Sequence, residues 1–250
     1  MKQFAVICKT EFLLFVRDFF GFFFTFVFPA LMLLLFGSIY GNQPIAPRAA
    51  MGVMDVSVPA YSVMIMGVTG LMSFPLTLAE CKERKIYKRF DATPVGKKKI
   101  MLAQFLINIV MALIGIAILL IAGKAFYHIQ IQGSIPAILA AIILSLSAMF
   151  SMGFLFTAIG RDAKIANLLC YLFYFVMIFL SGATMPDAMF PDGVKKVAAL
   201  LPMTYAVDLM QGVFSGNKLS DHIAELLVLG ILAVLFTSIG AFLYRKKDWS

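Results

Sequence analysis

Hydrophobic and polar positions in this chain neither alternate nor cycle; they come in long blocks. Six apolar runs stand out: Phe19–Tyr40, Pro59–Ala79, Ile100–Gly123, Ile135–Ile159, Ile165–Ala183 and Ile223–Leu243. The first five hold no Asp, Glu, Lys, Arg or His, and the sixth holds only Glu225 near its start. Crossing ~30 Å of hydrocarbon takes roughly 20 apolar helical residues, so each run predicts a membrane-spanning helix. Lipid offers the backbone no hydrogen bonds, which leaves helices or closed barrels. Barrel strands alternate apolar and polar residues over ~10 positions, and these runs do not. The expected fold is an all-α integral membrane domain of 250 residues with six spans.

Two segments are neither spans nor short loops. Across Gln3–Asp18, Phe4, Cys8, Phe12 and Phe15 share one helical face, with Lys2, Lys9, Thr10 and Arg17 largely opposite and Val6 and Leu13 among the polar positions. That sorting predicts a helix lying in the membrane interface ahead of the first span. The segment Thr184–His222 is semi-apolar and carries Pro186, Pro191 and Pro202; its apolar stretch Val194–Leu201 is too short to cross. Proline interrupts helices, so short re-entrant helices are expected between spans 5 and 6. No internal repeat is visible, unlike the inverted repeats of many secondary transporters.

Composition agrees with the pattern. The chain is 62% hydrophobic and only 14% charged, against about 45–50% and about 25% for soluble domains. Its net charge of +8 would suit a nucleic-acid binder, but the basic residues cluster in short loops between apolar runs. With six spans both termini share one side. That side receives sixteen Lys and Arg residues and the other receives five. The positive-inside rule then places both termini in the cytosol, and the chain in the cytoplasmic membrane. No separate signal peptide is expected, because the first apolar run is too long for one. His128 and His222 are far apart and Cys8, Cys81 and Cys170 show no paired spacing, so neither a metal site nor a disulfide framework is predicted. The thiols suit a reduced compartment.

What is missing narrows the function. Ion-coupled carriers commonly use intramembrane carboxylates or histidines, and these spans are nearly free of them. No phosphate-binding loop G-x-x-x-x-G-K-[ST] occurs, and neither G-x-S-x-G nor H-E-x-x-H is present. The expectation is a conduit without fuel site or cofactor of its own, driven from outside. The most charged stretch, Glu80–Lys99, is where a motor would push. Glu83, Arg84, Ile86, Tyr87, Arg89 and Phe90 fit about two turns of amphipathic helix, which Thr93-Pro94 ends. A plain reading competes: a basic loop resting on anionic lipid. Among mid-span polar residues, Asn108, Ser147 and Ser151 are candidates for a pathway, although hydroxyl residues at i,i+4 more often pack helices. The Phe and Met content reads chiefly as lipid-facing bulk.

At the charged loop a family becomes recognisable. Glu83-Arg84, Lys88-Arg89-Phe90 and Ala92-Thr93-Pro94-Val95 resemble the E-R-G-T-x-x-R-L-x-A-T-P-V stretch of ABC-2 type permeases, the membrane subunits of type V ABC exporters in the drug- and antibiotic-resistance group. Leu180-Ser181-Gly182, Pro186, Pro191 and Leu201-Pro202-Met203-Thr204-Tyr205-Ala206-Val207-Asp208 resemble that family's L-S-G…P…P…L-P-x-T-Y-x-x-D segment. A third likeness runs through Gly153, Gly160-Arg161-Asp162 and Ala166-Asn167. The family's Gly-Thr after Glu-Arg is Lys85-Ile86 here, so the segment lacks a flexible point, and Met210 or Gln211 stands where an Arg often follows the Asp.

The resemblance implies a separate ABC ATPase in two copies and a second permease subunit, identical or homologous. Glu83, Arg84, Tyr87, Lys88, Arg89, Phe90, Thr93 and Pro94 would belong to the coupling helix and its end, with the loop at Arg161 and Asp162 as a second contact. Ser181, Gly182, Pro186, Pro191, Pro202, Tyr205 and Asp208 would shape an outer gate. The function expected is export of a hydrophobic or amphipathic compound. The rivals are an ion-coupled or passive transporter, an intramembrane enzyme, which lacks candidate residues, and a non-transporting scaffold or sensor subunit.

Overall fold

The computed structural model describes residues 2–44, 51–91, 96–184 and 191–246. Ten helices are labelled in chain order: α1 Lys2–Arg17, α2 Phe19–Tyr40, α3 Val53–Glu83, α4 Ile86–Asp91, α5 Gly96–Tyr127, α6 Ile135–Ile159, α7 Ala163–Leu180, α8 Asp192–Ala198, α9 Pro202–Phe214 and α10 Ile223–Lys246. Six of them, α2, α3, α5, α6, α7 and α10, are long and apolar enough to cross a membrane. The chain is a multi-span α-helical membrane protein. For orientation, the end carrying α1 and α4 is called the basic end.

The helices outrun the apolar blocks. α3 begins at Val53 rather than Pro59 and continues through the charged residues to Glu83; α5 begins at Gly96 rather than Ile100. Charged residues interrupt hydropathy but not backbone hydrogen bonding, so a helix continues beyond the lipid core.

α3 is the axis of the bundle. Every residue from Val58 to Pro75 is buried, because α2, α5, α6, α7 and α9 all pack on it. α2, by contrast, buries only the stripe Gly21, Thr25, Pro29, Leu33 and Gly37, one residue per turn. Spans 2 and 4 cross at glycine: a Cβ on Gly153 would strike the Gly70 carbonyl oxygen, and one on Gly70 would sit 2.8 Å from Met149 Cβ. Only hydrogen fits there, as at other close helix crossings in lipid.

Both α2 and α3 contain a π-helical stretch, Phe23–Val27 and Val68–Ser73, each followed directly by Phe-Pro. Proline cannot donate to the carbonyl four residues back and its ring crowds that oxygen. The widened turn relieves this: Phe28 N–H donates to Phe23 O and Phe74 N–H to Thr69 O, five residues back in both cases.

At the opposite end a carboxylate closes the loops. Asp55, 6% exposed, accepts from Gly52 N (2.9 Å), Asn42 Nδ2 (3.0 Å) and Gln130 N (2.9 Å). It therefore joins the starts of α3 and the loops after α2 and α5. α8 and α9 meet at an angle of 94°, where Thr204 Oγ1 donates to Ala198 O and Tyr205 Oη to Ala199 O. α9 runs against the upper half of α3. Gln211 Nε2 donates to Val56 O at 3.2 Å, and Met203 Cε approaches the Cβ position of Gly67 at 3.6 Å, at the middle of α3.

Candidate coupling surface at the basic end

The expected two-turn helix over Glu83–Phe90 is divided. α3 runs to Glu83, and Lys85 takes φ +55° before α4 begins at Ile86. Arg84 N bonds Glu80 O (2.9 Å) and Lys85 N bonds Lys82 O (3.1 Å), closing the helix end. A left-handed residue is the usual terminator after a helix, and glycine adopts it without strain. Lys85 occupies the place of the family's glycine and takes the conformation glycine would take. The flexible residue is absent, but the turn is kept.

Glu83, at the end of α3, reaches across to the start of α7, where its Oε2 accepts from Ala163 N at 3.1 Å. Asp162 caps the same helix, its Oδ1 accepting from Ile165 N at 2.8 Å. Two carboxylates thus satisfy free N–H groups at one positive helix end. The loops around Glu83 and around Arg161–Asp162, distant in sequence, are thereby brought together. Gly160 permits the approach, since a Cβ there would sit 2.7 Å from Ala166 Cβ.

α4 has two different faces. Tyr87 points inward, 5% exposed, and its hydroxyl donates to Gln104 Oε1 at 2.6 Å. Gln104 Nε2 lies 3.3 Å from Glu11 Oε1 and 3.4 Å from Cys81 Sγ, and the Gln104 carbonyl accepts from Asn108 Nδ2 at 2.9 Å. One amide therefore joins α1, α3, α4 and α5. Burial pushes the Glu11 carboxyl above the usual carboxylate range, and its bond to Gln104 offsets part of that. Burial likewise pushes the Tyr87 phenol up, so it stays a hydrogen-bond donor. Outward, Lys88, Arg89 and Phe90 are exposed, as is Arg84, whose guanidinium is 3.9 Å from Glu80. An exposed pair of that kind contributes ~0–1 kcal/mol and leaves Arg84 available to other partners.

α1 packs on α5, with Phe4, Ile7, Cys8, Glu11 and Phe15 all at least partly buried, while Phe12 and Leu13 are exposed. The face toward the protein is thus rotated from the expected Phe4–Cys8–Phe12–Phe15 stripe and centred on Glu11. Glu11 and Gln104 were not singled out from the sequence. The available signals were the only acid in α1, with Ile7 and Phe15 one turn to either side, and an amide just inside span 3.

The remaining candidates are scattered. Thr93, Pro94 and Pro186 lie outside the described residues. Arg161 is exposed. Ser181 is 2% exposed with its hydroxyl unpaired, and Gly182 takes φ +79°. Pro191 and Pro202 start α8 and α9, Tyr205 sits in the bend between them, and Asp208 is exposed on α9. Asn108 is 5% exposed with Oδ1 unpaired. Ser151 is buried and Ser147 exposed, each bonded to its own helix, so the two do not share a surface.

Six apolar helices, one of them a buried axis, with a charged connector at one end, define a membrane-embedded helical body. Residues 2–215 match the family model described as ABC-2 type transporter. The chain belongs to the ABC-2 type transporter family. It is similar to the inner membrane transport permease YhhJ of Escherichia coli (strain K12), 27% identical over 156 residues that make up 61% of this chain and 41% of that protein. The YhhJ of Shigella flexneri matches equally. Nodulation protein J of Bradyrhizobium diazoefficiens is 29% identical over 150 residues, 59% of this chain and 52% of that protein. The matched part thus spans about half the length of these relatives.

Proposed function

We propose that this chain is the non-catalytic membrane subunit of an ATP-driven ABC exporter of a hydrophobic or amphipathic compound across the cytoplasmic membrane. The basic end faces the cytosol with both termini, in keeping with the uneven distribution of Lys and Arg. There it meets a separate ABC ATPase, present in two copies, and the membrane unit is completed by a second permease, identical or homologous. ATP and magnesium are held by the ATPase, not by this chain.

The observation that carries the reading is the two-faced connector α4. Its exposed side offers Arg84, Lys88, Arg89 and Phe90 to a partner, while Tyr87 fixes its other side to Gln104 in α5. Glu83, next to it, is bonded to the start of α7. A push on α4 is therefore passed to α3, α5 and α7 together, because packed helices move as units rather than deform. ATP stabilises the closed ATPase pair, and that approach supplies the push; the differential affinity of ATP for the two states sets how far the equilibrium moves. The bent pair α8–α9, re-entering from the outer face against α3, forms the gate that opens.

The test is Glu83→Lys in the assembled transporter. It replaces an acceptor at Ala163 N by a like charge at the positive end of α7, and coupled ATPase activity should fall by at least about tenfold, the equivalent of ~1.4 kcal/mol, while insertion is normal. Arg84→Glu with Lys88→Glu should instead reduce co-purification of the ATPase in mild detergent. Normal coupling and normal co-purification in both variants would refute the docking assignment.

A further inference from the structure

Three consecutive residues close the end of α3, and neighbours on a helix point about 100° apart. Cys81 Sγ lies 3.4 Å from Gln104 Nε2 of α5, and Glu83 Oε2 accepts from Ala163 N of α7. Lys82, between them, turns to a third span: its Nζ stands 4.4 Å over the ring centroid of Tyr244 in α10. That nitrogen is withdrawn from solvent, and a desolvated cation is held over an aromatic face more strongly than an exposed one. Tyr244 is also fixed by α6, its ring centroid 5.7 Å from that of Phe154. A turn earlier, a Cβ on Gly240 would sit 2.8 Å from Phe154 Cδ1. The end of α3 thus grips α10 as well as α5 and α7.

The other end of α10 reaches the gate helix. A Cβ on Gly212 of α9 would collide with His222 Nε2, so the imidazole just before α10 fills the side-chain place of a residue in α9. The same Nε2 is 3.4 Å from Asn217 Nδ2, Asn217 N donates to Gly212 O at 3.1 Å, and His222 Nδ1 lies 3.5 Å from Glu225 Oε1. The end of α9 and the start of α10 are therefore interlocked. Between these two grips α10 runs for 24 residues, ~36 Å of helix, enough to cross the bilayer. It packs along α6 and on α9, and it is the least buried of the six spans. Its shift needs less repacking than a shift of the enclosed α3 would.

We propose that the Lys82–Tyr244 contact is a second output of the coupling end, and that α10 is the strut carrying the stroke from there to α9. This rests on the exporter reading and names the positioning residues that join its two ends. α3, pushed through α4, draws Tyr244 with it; α10 follows as a unit and moves α9 at Gly212. Simple anchoring of Lys82 at the membrane surface would need only its charge, whereas this clamp needs the ring face opposite.

The test uses the assembled transporter, permease with ATPase, in nanodiscs. Met203→Cys, at the buried start of α9, is the reporter background. A charged maleimide marks position 203, read on that peptide by mass spectrometry with and without ATP and vanadate. Trapping the closed ATPase pair should raise labelling about tenfold. Tyr244→Leu and Lys82→Met should each cut that rise to about twofold, through loss of one desolvated cation–π contact, with ATPase co-purification unchanged. Tyr244→Phe keeps the ring face and Lys82→Arg the charge, so both should retain the rise. Combining Tyr244→Leu with Lys82→Met should lower it no further than either alone, and His222→Ala should lower it from the other end. Lys82→Met and Lys82→Arg read the contact should Tyr244→Leu fail to assemble. A full rise in Tyr244→Leu or Lys82→Met overturns the proposal, as do equal losses in Tyr244→Phe and Tyr244→Leu, or additive losses in the double variant. No rise in the background itself would refute the gate reading, and this inference with it, whereas the Glu83→Lys assay judges docking separately.

Discussion

The two ends of the bundle use their carboxylates differently. At the end opposite the basic one, Asp55 is buried and both its oxygens serve the protein's own loops, accepting from Gly52, Asn42 and Gln130. At the basic end Glu83 and Asp162 hold a helix start, and Gln104 gathers four helices, yet Arg84, Lys88, Arg89 and Phe90 remain outside. Charge turned inward closes a surface; charge turned outward over a fixed inner face makes one that a partner can push. One end thus turns its charge onto its own loops, and the basic end leaves charge exposed.

The largest effect is expected from Asp55→Ala, which leaves three donors without their acceptor. It should destabilise the protein by about 3 kcal/mol in reversible denaturant unfolding from mixed micelles, while ATPase co-purification is unchanged. Loss of co-purification with stability intact would reverse the roles given to the two ends. Tyr87→Phe removes the donor to Gln104 Oε1 and should cost about 1–2 kcal/mol. It should also weaken ATPase coupling, because α4 would no longer be tied to α5; full coupling would show that the tie transmits nothing. Lys85→Gly should raise stability by about 1 kcal/mol, since glycine holds the left-handed conformation without a Cβ penalty. A destabilised variant would mean that the Lys85 side chain matters more than its backbone. Glu11→Gln should have the smallest effect and the clearest pH signature. The folded-state carboxyl titrates above its unfolded value, so its contribution is fully present below the unfolded value and is lost as pH rises through the folded one. The variant should therefore gain thermal stability over wild type at a pH of about 8 and match it near about 4. An equal difference at both would place Glu11 in a solvated setting.

Much of the architecture could be read from the chain. The long apolar blocks required helices because lipid leaves no alternative, and the proline-broken tract after span 5 corresponds to a bent pair, α8 and α9. The ABC-2 family was recognisable from Glu83–Val95 and Leu180–Asp208. The bounds of α3 were not legible, since Asp55 and Lys82 halt a hydropathy count but not a helix. The turn at Lys85 was hidden too: sequence marks a left-handed residue mainly through glycine, and here a lysine takes that conformation.

The sequence by itself determined that this chain lies in a membrane, how many long helices it has, and which stretch is charged, because each follows from local hydropathy and spacing. Only the tertiary structure decided that Glu83 serves α7 and that Glu11 meets Gln104. Those pairings join residues up to 93 positions apart, and they depend on how helices rotate about their axes when packed, which no local pattern specifies.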